Sequence, residues 1–278
     1  MVKYLAITFL FITSVVNAGE LSNKISSFVE NLMPGEGTTE VSIDIRDNYK
    51  PDYSILLVRE LMKSDTGNLF TQFSLINTEK LNDERIVANI GLGKRILSND
   101  NLMMTGFNTF LDADEDGNLR ASLGGEVRNA VLGFRTNYYK GIQDANGEIV
   151  LDGYDVDFSS QIPFLYWADA SLSSYKWDGV NREDIKGYKI GTDLQLSPSV
   201  AVEAAWDDKD KKGMEDEYYV NLMFAYPPRE GPNMINDGIG SSAWKEDRDM
   251  TSELLSKIKR QNKIVVEFNV TTTISRLN

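Results

Sequence analysis

The sequence has 278 residues, a formal net charge of -13 at pH 7, and neither cysteine nor histidine. In an exported protein this composition excludes disulfide bridges, thiol chemistry and the usual roles of imidazole in catalysis and metal binding. The acidic balance argues against nucleic acid as a partner. We therefore expect no cofactor and no enzymatic activity, in a chain held together by packing and hydrogen bonds alone.

The N-terminus has the features of a secretory signal peptide. Lys3 supplies a positive charge, residues 5–16 form an apolar stretch, and Val16-Asn17-Ala18 resembles a small-residue cleavage site. A transmembrane helix is the alternative, but it would need about 20 apolar residues. We therefore predict that residues 1–18 are a signal peptide and that the chain is exported.

The next segment, residues 19–37, is predicted to be short and helical and to lie on the periplasmic side. Between Leu21 and Met33 the apolar side chains recur at helical spacing, which indicates one apolar stripe. The residues of this stripe are Leu21, Ile25, Phe28, Val29 and Leu32.

From about residue 40 to residue 226, apolar and polar side chains alternate in segments of about ten residues. In one segment Tyr154, Val156 and Phe158 share one face, and Asp155 and Asp157 share the other. In a soluble β-sandwich the apolar face would pack on a second sheet. In a membrane barrel it would face lipid, and the polar face would line the lumen. Alternation alone allows both folds.

The connections between the segments favour the membrane barrel, because short and long connections alternate along the chain, as in outer-membrane barrels. The short ones lie near residues 63–68, 98–101, 129–130 and 197–199, and the longer polar ones near 112–118, 141–151, 179–184 and 209–217. Strands end in Trp177, Trp206 and Tyr226, which are expected in an interfacial aromatic girdle. We predict an all-β fold, a twelve-stranded antiparallel transmembrane β-barrel over residues 38–228.

The twelve strands are predicted from the positions at which each alternating segment begins. They start near Glu40, Ser54, Leu69, Arg85, Asn101, Leu119, Ala130, Asp152, Ala168, Lys186, Ser199 and Glu217. The segments that start at Asn101 and Ala168 alternate poorly, so the sequence does not fix their registers. The final strand ends in Phe224 and Tyr226 at alternate outward positions, which resembles the signal read by the barrel-assembly machinery, an expected partner together with outer-membrane lipid.

Residues 229–278 are predicted to be a linker that contains a helix. A Pro/Gly/Asn-rich stretch is followed by helix-like Thr251–Arg260 and strand-like Ile264–Phe268. Positive charge is concentrated here, and inside an acidic lumen it would hold the linker in place. The residues are Lys257, Lys259, Arg260 and Lys263. A solvated amphipathic helix is the alternative.

Charged residues also fall on the predicted lumen face of the strands. They are Arg120, Glu126, Arg128, Asp155, Asp157, Asp193 and Glu203. Paired carboxylates can perform acid–base catalysis, but a hydrated lumen needs the same mixture of charges for ion pairing alone. Serine chemistry would lack its usual histidine base. We therefore predict no catalytic site.

Asp112, Asp114 and Asp116, which precede Gly117, begin like a calcium-binding loop. The twelfth position of such a loop carries a bidentate glutamate, but this chain has Leu123 there. We predict an acidic external hairpin tip, with weak calcium binding as the alternative.

Six short motifs follow one another along the chain. They are Leu69-Phe70-Thr71-Gln72, Asn89-Ile90-Gly91-Leu92-Gly93-Lys94-Arg95, Gly106-Phe107-Asn108-Thr109-Phe110-Leu111-Asp112, Leu123-Gly124-Gly125-Glu126, Gly153-Tyr154-Asp155-Val156 and residues 257–268. In this order they resemble the β-domain of inverse autotransporters, the intimin and invasin group. That resemblance implies a twelve-stranded outer-membrane barrel whose linker passes outward through the pore to a C-terminal adhesive passenger.

The sequence departs from this pattern after Phe268, where only ten residues remain, too few for a domain. We expect an adhesin-related translocator and anchor for a surface-exposed C-terminus with almost no passenger, facing an unknown surface ligand or cell. A small channel and an adhesin that binds through its external loops are the alternatives. A plugged translocator should conduct little until the chain after Pro227 is deleted, whereas a channel should conduct intact.

Overall fold

The structure is a computed structural model that describes residues 35–47, 49–80, 83–210 and 216–268. The predicted signal peptide and the helix predicted at Leu21–Met33 lie outside the described residues. None of the described helices is long or apolar enough to cross a membrane.

The alternating segments form twelve strands that close into one antiparallel barrel, in which β13 returns to pair with β1. The barrel strands are β1 (Gly37–Arg46), β2 (Asp52–Ser64), β3 (Gly67–Lys80), β4 (Asp83–Leu97), β5 (Met103–Asp114), β6 (Leu119–Asn129), β7 (Leu132–Gln143), β9 (Gly153–Ile162), β10 (Leu165–Trp177), β11 (Ile185–Ser197), β12 (Val200–Lys209) and β13 (Glu217–Tyr226). Two short strands, β8 (Glu148–Val150) and β14 (Val266–Phe268), pair in a separate antiparallel sheet. The predicted fold class is confirmed.

Apolar side chains cover the outside of this barrel and polar side chains fill its interior. Leu123 on β6 is 64% exposed, whereas Arg120 on the same strand is fully buried. On β4, Ile90 and Leu92 are exposed while Asn89 is buried. A soluble sandwich would bury its apolar face instead, so that alternative is wrong.

The two ends of the barrel differ in their connections. The turn end, where β1 begins and β13 ends, carries the connections 65–66, 98–102, 130–131, 163–164 and 198–199. The loop end carries the connections 47–51, 81–82, 115–118, 144–152, 178–184 and 210–216. All the short connections predicted from the sequence therefore meet at the turn end, and the long ones meet at the loop end.

The two strands with poor alternation have physical reasons for it. On β5 the aromatic ring of Phe110 is buried inside the barrel, while Thr109 faces outward. On β10 the pairing with β9 shifts register between Leu165 and Asp169, so a β-bulge interrupts the period of two.

Trp177 does not belong to an outer aromatic girdle, so that prediction is wrong for this residue. It is 3% exposed and lies inside the barrel, with its ring centroid 5.0 Å from that of Tyr139. Trp177 pairs across the strands with Gly153, and a Cβ atom on that glycine would lie 2.4 Å from the indole. The missing side chain leaves the space into which Trp177 folds.

The predicted helix at Thr251–Arg260 is also wrong. This part of the chain has one 3-10 turn, Thr251–Glu253, and then continues without helix until β14. The backbone carbonyls of Leu254 and Ser256 accept hydrogen bonds from Arg95, and that of Glu253 accepts from Arg95 and from the Ser256 N–H, where an α-helix would supply N–H groups four residues on. The barrel wall therefore satisfies polar groups that a helix would satisfy internally.

Candidate functional site: a plug held inside the barrel

The chain after β13 turns back into the barrel and crosses it, and we call residues 227–268 the plug. Near the turn end the Met250 N–H donates to the Asn101 carbonyl at 2.8 Å. Farther along, the Ile258 N–H donates to Gln72 Oε1 at 2.8 Å. At the loop end β14 pairs with β8, with Val266 opposite Val150. Residues 250–268 therefore run through the whole lumen.

The first part of the plug packs beneath the β9–β10 turn at the turn end. Phe164 donates its N–H to the Ala243 carbonyl at 2.9 Å. The indole Nε1–H of Trp167 donates to the Gly238 carbonyl at 2.7 Å. These contacts fix the point at which the chain enters the lumen.

Two buried arginines of the wall hold the plug by its backbone. Arg95 Nη1 donates to the carbonyl of Ser256 at 2.6 Å, and Arg120 donates to those of Gln261 at 2.6 Å and Lys263 at 3.0 Å. A guanidinium group offers five donors in a fixed plane, and a buried carbonyl without a donor costs about 1–3 kcal/mol. The arginines thus stabilise a segment, residues 257–263, that belongs to neither a helix nor a strand.

A fully buried ion triad joins the plug to β5 and β6. Arg260 makes a bidentate pair with Asp112, at 2.8 Å and 2.7 Å, and Arg120 Nε donates to the same carboxylate at 2.8 Å. The side chains of all three residues are completely inaccessible to solvent. Arg260 also lies over the ring of Phe110, 4.3 Å from its centroid.

The predicted calcium loop does not form from its three aspartates, because Asp112 lies apart, while Asp114, Asp116 and Glu148 bring carboxylate oxygens within 4.8 Å of one another. Asp112 belongs to the buried triad and points into the lumen, so it does not join Asp114 and Asp116 in a loop. Those two carboxylates meet Glu148 around Arg85, which pairs with Asp114 at 3.1 Å, with Asp116, and with Glu148 at 2.7 Å. A cation already occupies the centre of this cluster, and it is a protein side chain.

The other half of the wall contacts the lysines of the plug through carboxylates. Lys257 pairs with Glu40 at 2.6 Å and Lys259 with Asp193 at 2.5 Å. Lys263 pairs with Asp52 and lies 3.6 Å from Asp44. All four cations predicted in the linker therefore face carboxylates inside the barrel. The three lysines do so here, and Arg260 does so in the triad.

The remaining residues predicted on the lumen face also lie inside. Glu126 pairs with Arg95 at 2.8 Å, Arg128 with Glu253 at 3.0 Å, and Asp157 with Arg135 at 2.6 Å. Asp155 accepts from the hydroxyl of Tyr139 at 2.6 Å, and Glu203 from that of Tyr219 at 3.0 Å. Phe224 and Tyr226 lie on the outer face at the turn end of β13, 45% and 42% exposed.

Apolar packing reinforces the polar contacts of the plug. Ile258 is buried among Leu56, Val58, Phe70 and Phe110. Nearer the turn end, Met250 and Leu254 pack with Leu97 and Met104. Burying a side chain of this size stabilises a fold by about 1.5–3 kcal/mol. The lumen therefore has apolar patches where the plug lies, which a water-filled pore would not need.

The sequence profile described as "Inverse autotransporter, beta-domain" matches residues 12–262. The chain belongs to the inverse autotransporter β-domain family. Family and fold together identify an outer-membrane barrel of the translocator type.

Solved structures agree with this inverse autotransporter fold. One, described as "Unveiling the Mechanism Behind the in-meso Crystallization of Membrane Proteins", has a TM-score of 0.68 at 21% identity, over 84% of this chain and 99% of that chain. A second, "KdgM porin in complex with disordered oligogalacturonate", has a TM-score of 0.50 at 8% identity, over 67% of this chain and 98% of that chain. At these identities the likeness concerns the fold alone. No curated protein matches the sequence.

The Gly91-Leu92-Gly93 motif of this inverse autotransporter barrel has a structural role. Both glycines face the lumen, and each lies under an aromatic ring on the adjacent strand: a Cβ atom would lie 2.4 Å from Phe110 at Gly91 and 2.4 Å from Phe70 at Gly93. Each ring in turn supports an arginine, Arg260 on Phe110 and Arg95 on Phe70. The two glycines thus leave room for the rings of Phe110 and Phe70, and the rings in turn position Arg260 and Arg95.

Replacing Gly91 by alanine is expected to lower the free energy of unfolding by about 1–3 kcal/mol, because the methyl group displaces the Phe110 ring and with it Arg260. Urea titration of the barrel in detergent, followed by its heat-modifiable gel mobility, measures this loss. Gly125→Ala is the matched control, since its Cβ would meet only the Gly106 carbonyl at 3.8 Å. Equal stability of the two variants would refute the role of the motif.

Two loop-end connections, 144–152 and 178–184, bind the plug where it leaves the inverse autotransporter barrel. The Leu151 N–H donates to the Val265 carbonyl at 3.0 Å, next to the β8–β14 pair. Glu267 accepts from the N–H groups of Val180 and Asn181 at 3.1 Å and 2.8 Å. Desolvation opposes ionisation of this carboxyl group, but the backbone hydrogen bonds outweigh it and lower the pKa of Glu267. The sequence predicted a strand here but not the β8 partner within the 144–152 connection.

Proposed function

We propose that this barrel is the translocator and anchor of its own C-terminal end, which it holds at the cell surface. The observation that carries the proposal is the path of residues 250–268, which enter from the turn end and leave at the loop end. In outer-membrane barrels the short turns face the periplasm and the long loops face outward. The chain that follows Phe268 is then delivered to the exterior.

The contacts inside the lumen suit an anchor. Arg95 and Arg120 bind backbone carbonyls, and Asp112, Asp193 and Glu40 bind plug side chains. Pulling the plug out would break ion pairs that are buried with it, and separating the partners of a buried ion pair is strongly unfavourable. The plug is therefore retained once it has crossed.

An adhesin-related role follows for whatever the C-terminal end presents, because the chain resembles the intimin and invasin group. The partners of such a protein would be outer-membrane lipid, the barrel-assembly machinery acting on the strand that ends in Phe224 and Tyr226, and a surface ligand. We propose no catalytic role, since the lumen carboxylates of the triad and of the lysine pairs serve in ion pairs.

The proposal is tested by tagging the two ends of the barrel in intact cells. An epitope placed after Asn278 is expected to bind antibody on unpermeabilised cells, because the plug leads to the loop end. The same epitope inserted at Asp65-Thr66, a turn-end connection of β2 and β3, should bind antibody only after permeabilisation. If the C-terminal epitope also needs permeabilisation, the chain does not present its C-terminus and the translocator function is wrong.

A further inference from the structure

The plug does not fill the lumen, and two cavities remain beside it. One has a volume of about 680 Å³ and lies toward the turn end, where Pro227 and Arg229 line it. The other has a volume of about 470 Å³ and reaches the loop ends of β1 and β13 at Arg46 and Glu217. Both are lined largely by β1, β2 and β9–β13, the part of the wall that the lysines of the plug contact.

The strand register places a row of oxygen-bearing side chains along this part of the wall. Asp52 is opposite Asp44, Asp44 opposite Asn221, and Asn221 opposite Glu203. The row continues from Glu203 to Asp193 and from Asp193 to Asp169. We call these six residues the acidic belt. Because strands of a barrel are tilted, the belt runs obliquely from the loop-end cavity, which Asp44 lines, to the turn-end cavity, which Asp169 lines.

The acidic belt is only partly neutralised. Within the described ranges, Glu203 and Asp169 have no cation at ion-pair distance, and Asp44 has only Lys263 at 3.6 Å. Asp44 Oδ1 and Asn221 Oδ1 are buried oxygens that accept no hydrogen bond from the protein. Unpartnered acceptors beside a cavity of this size attract water and cations.

The two cavities meet at one place, a neck that we define by Lys257 and Lys259. These two lysines line both cavities, together with Glu40 and Leu56. Their ammonium groups reach from the plug to Glu40 and Asp193 across the gap. The two salt bridges therefore close the connection sterically and neutralise the two carboxylates that a passing cation would meet there.

The geometry points to a cation passage beside the plug, running along the acidic belt and closed at the neck by Lys257 and Lys259. Rows of carboxylates favour cations in membrane pores, and at the neck the two ammonium groups already occupy the carboxylates that a cation would use. The barrier to ions is thus two side chains and not the plug as a whole. This inference goes beyond the proposed function, and a conductance test and a tag-accessibility test can fail independently.

The test is conductance of the full-length protein in planar bilayers, across a KCl gradient. Wild type is expected to conduct weakly. Lys257→Ala combined with Lys259→Ala should raise conductance several-fold. The reversal potential should then shift toward the equilibrium potential of potassium. Lys245→Ala is the matched control, because this plug lysine lines neither cavity, and it should leave conductance unchanged. Heat-modifiable gel mobility verifies that each variant forms the barrel.

Neutralising the belt tests the selectivity. Adding Asp44→Asn and Glu203→Gln to the double lysine variant should move the reversal potential toward zero while the pore stays open. A folded double lysine variant that conducts no more than wild type would overturn the inference. A preference of the double lysine variant for anions would also overturn the inference. A conductance equal to that of the chain lacking residues 227–278 would mean that the whole plug leaves, which would also overturn the assignment of the neck.

Discussion

Replacing Asp112 by alanine is expected to lower the free energy of unfolding of the barrel by about 3–5 kcal/mol, the usual cost of removing one partner of a buried ion pair. Arg120 and Arg260 would keep their charges in a site with no solvent access, and each would lose its carboxylate partner. Urea titration in detergent, read by heat-modifiable gel mobility, measures this loss. Because Arg260 belongs to the plug, residues near it should also become accessible to protease in the folded variant.

Asp44→Ala is the matched control for this variant. Asp44 also lies on the lumen face, but its one ion-pair partner, Lys263, is 3.6 Å away and both side chains border a cavity. Its removal is expected to cost less than about 1 kcal/mol, because the variant loses one weak ion pair and also one buried oxygen that has no hydrogen-bond partner. If the two aspartates cost the same, the buried triad is not the main attachment of the plug.

The barrel itself could be predicted from sequence because every strand obeys the same simple rule. A period of two separates lipid-facing from lumen-facing side chains, and it holds wherever the two environments differ. Each predicted start lies within three residues of an observed one; Glu40 stands against Gly37 at β1, and Glu217 is the first residue of β13. The connections could be predicted as well, because polar turn residues interrupt the alternation of apolar and polar side chains.

The plug could not be predicted in the same way, because its conformation depends on the wall. Residues 251–260 have helical composition, but in a helix Lys257 and Lys259 would project about 200° apart. In the extended plug they share one side and reach Glu40 and Asp193, while Ile258 and Arg260 face the opposite side. Pairing across the lumen outweighs local propensity here.

The buried aromatic residues show a second limit of sequence reasoning. Trp177 and Phe110 look like lipid-facing residues by type, yet both lie inside, each over a glycine of the neighbouring strand, Gly153 and Gly91. Cross-strand glycines are a usable signal for this arrangement, but only once the register is known. The sequence alone gives the glycines without their partners.

The wall thus recognises the plug in two different ways. Arg95 and Arg120 on β4 and β6 bind backbone carbonyls, which any extended segment offers. Glu40 on β1 and Asp193 on β11 bind lysine side chains, which only this sequence offers at these positions. The first mode accepts any extended segment, and the second fixes the register of this one.

The outer face of the barrel gives the second large prediction. Leu123→Arg is expected to lower the free energy of unfolding by about 2–4 kcal/mol, since Leu123 is 64% exposed near the middle of β6, where the charge would lie in the bilayer core. Met103→Arg is the matched control, because Met103 is the first residue of β5, opposite Asn129 at the rim, and an arginine there reaches the interface at a cost of about 0–1 kcal/mol. Urea unfolding from lipid vesicles measures both variants. Equal losses at the two positions would mean that the exposed apolar surface is not a lipid contact, whereas a loss confined to Leu123 fixes the depth of the barrel in the membrane.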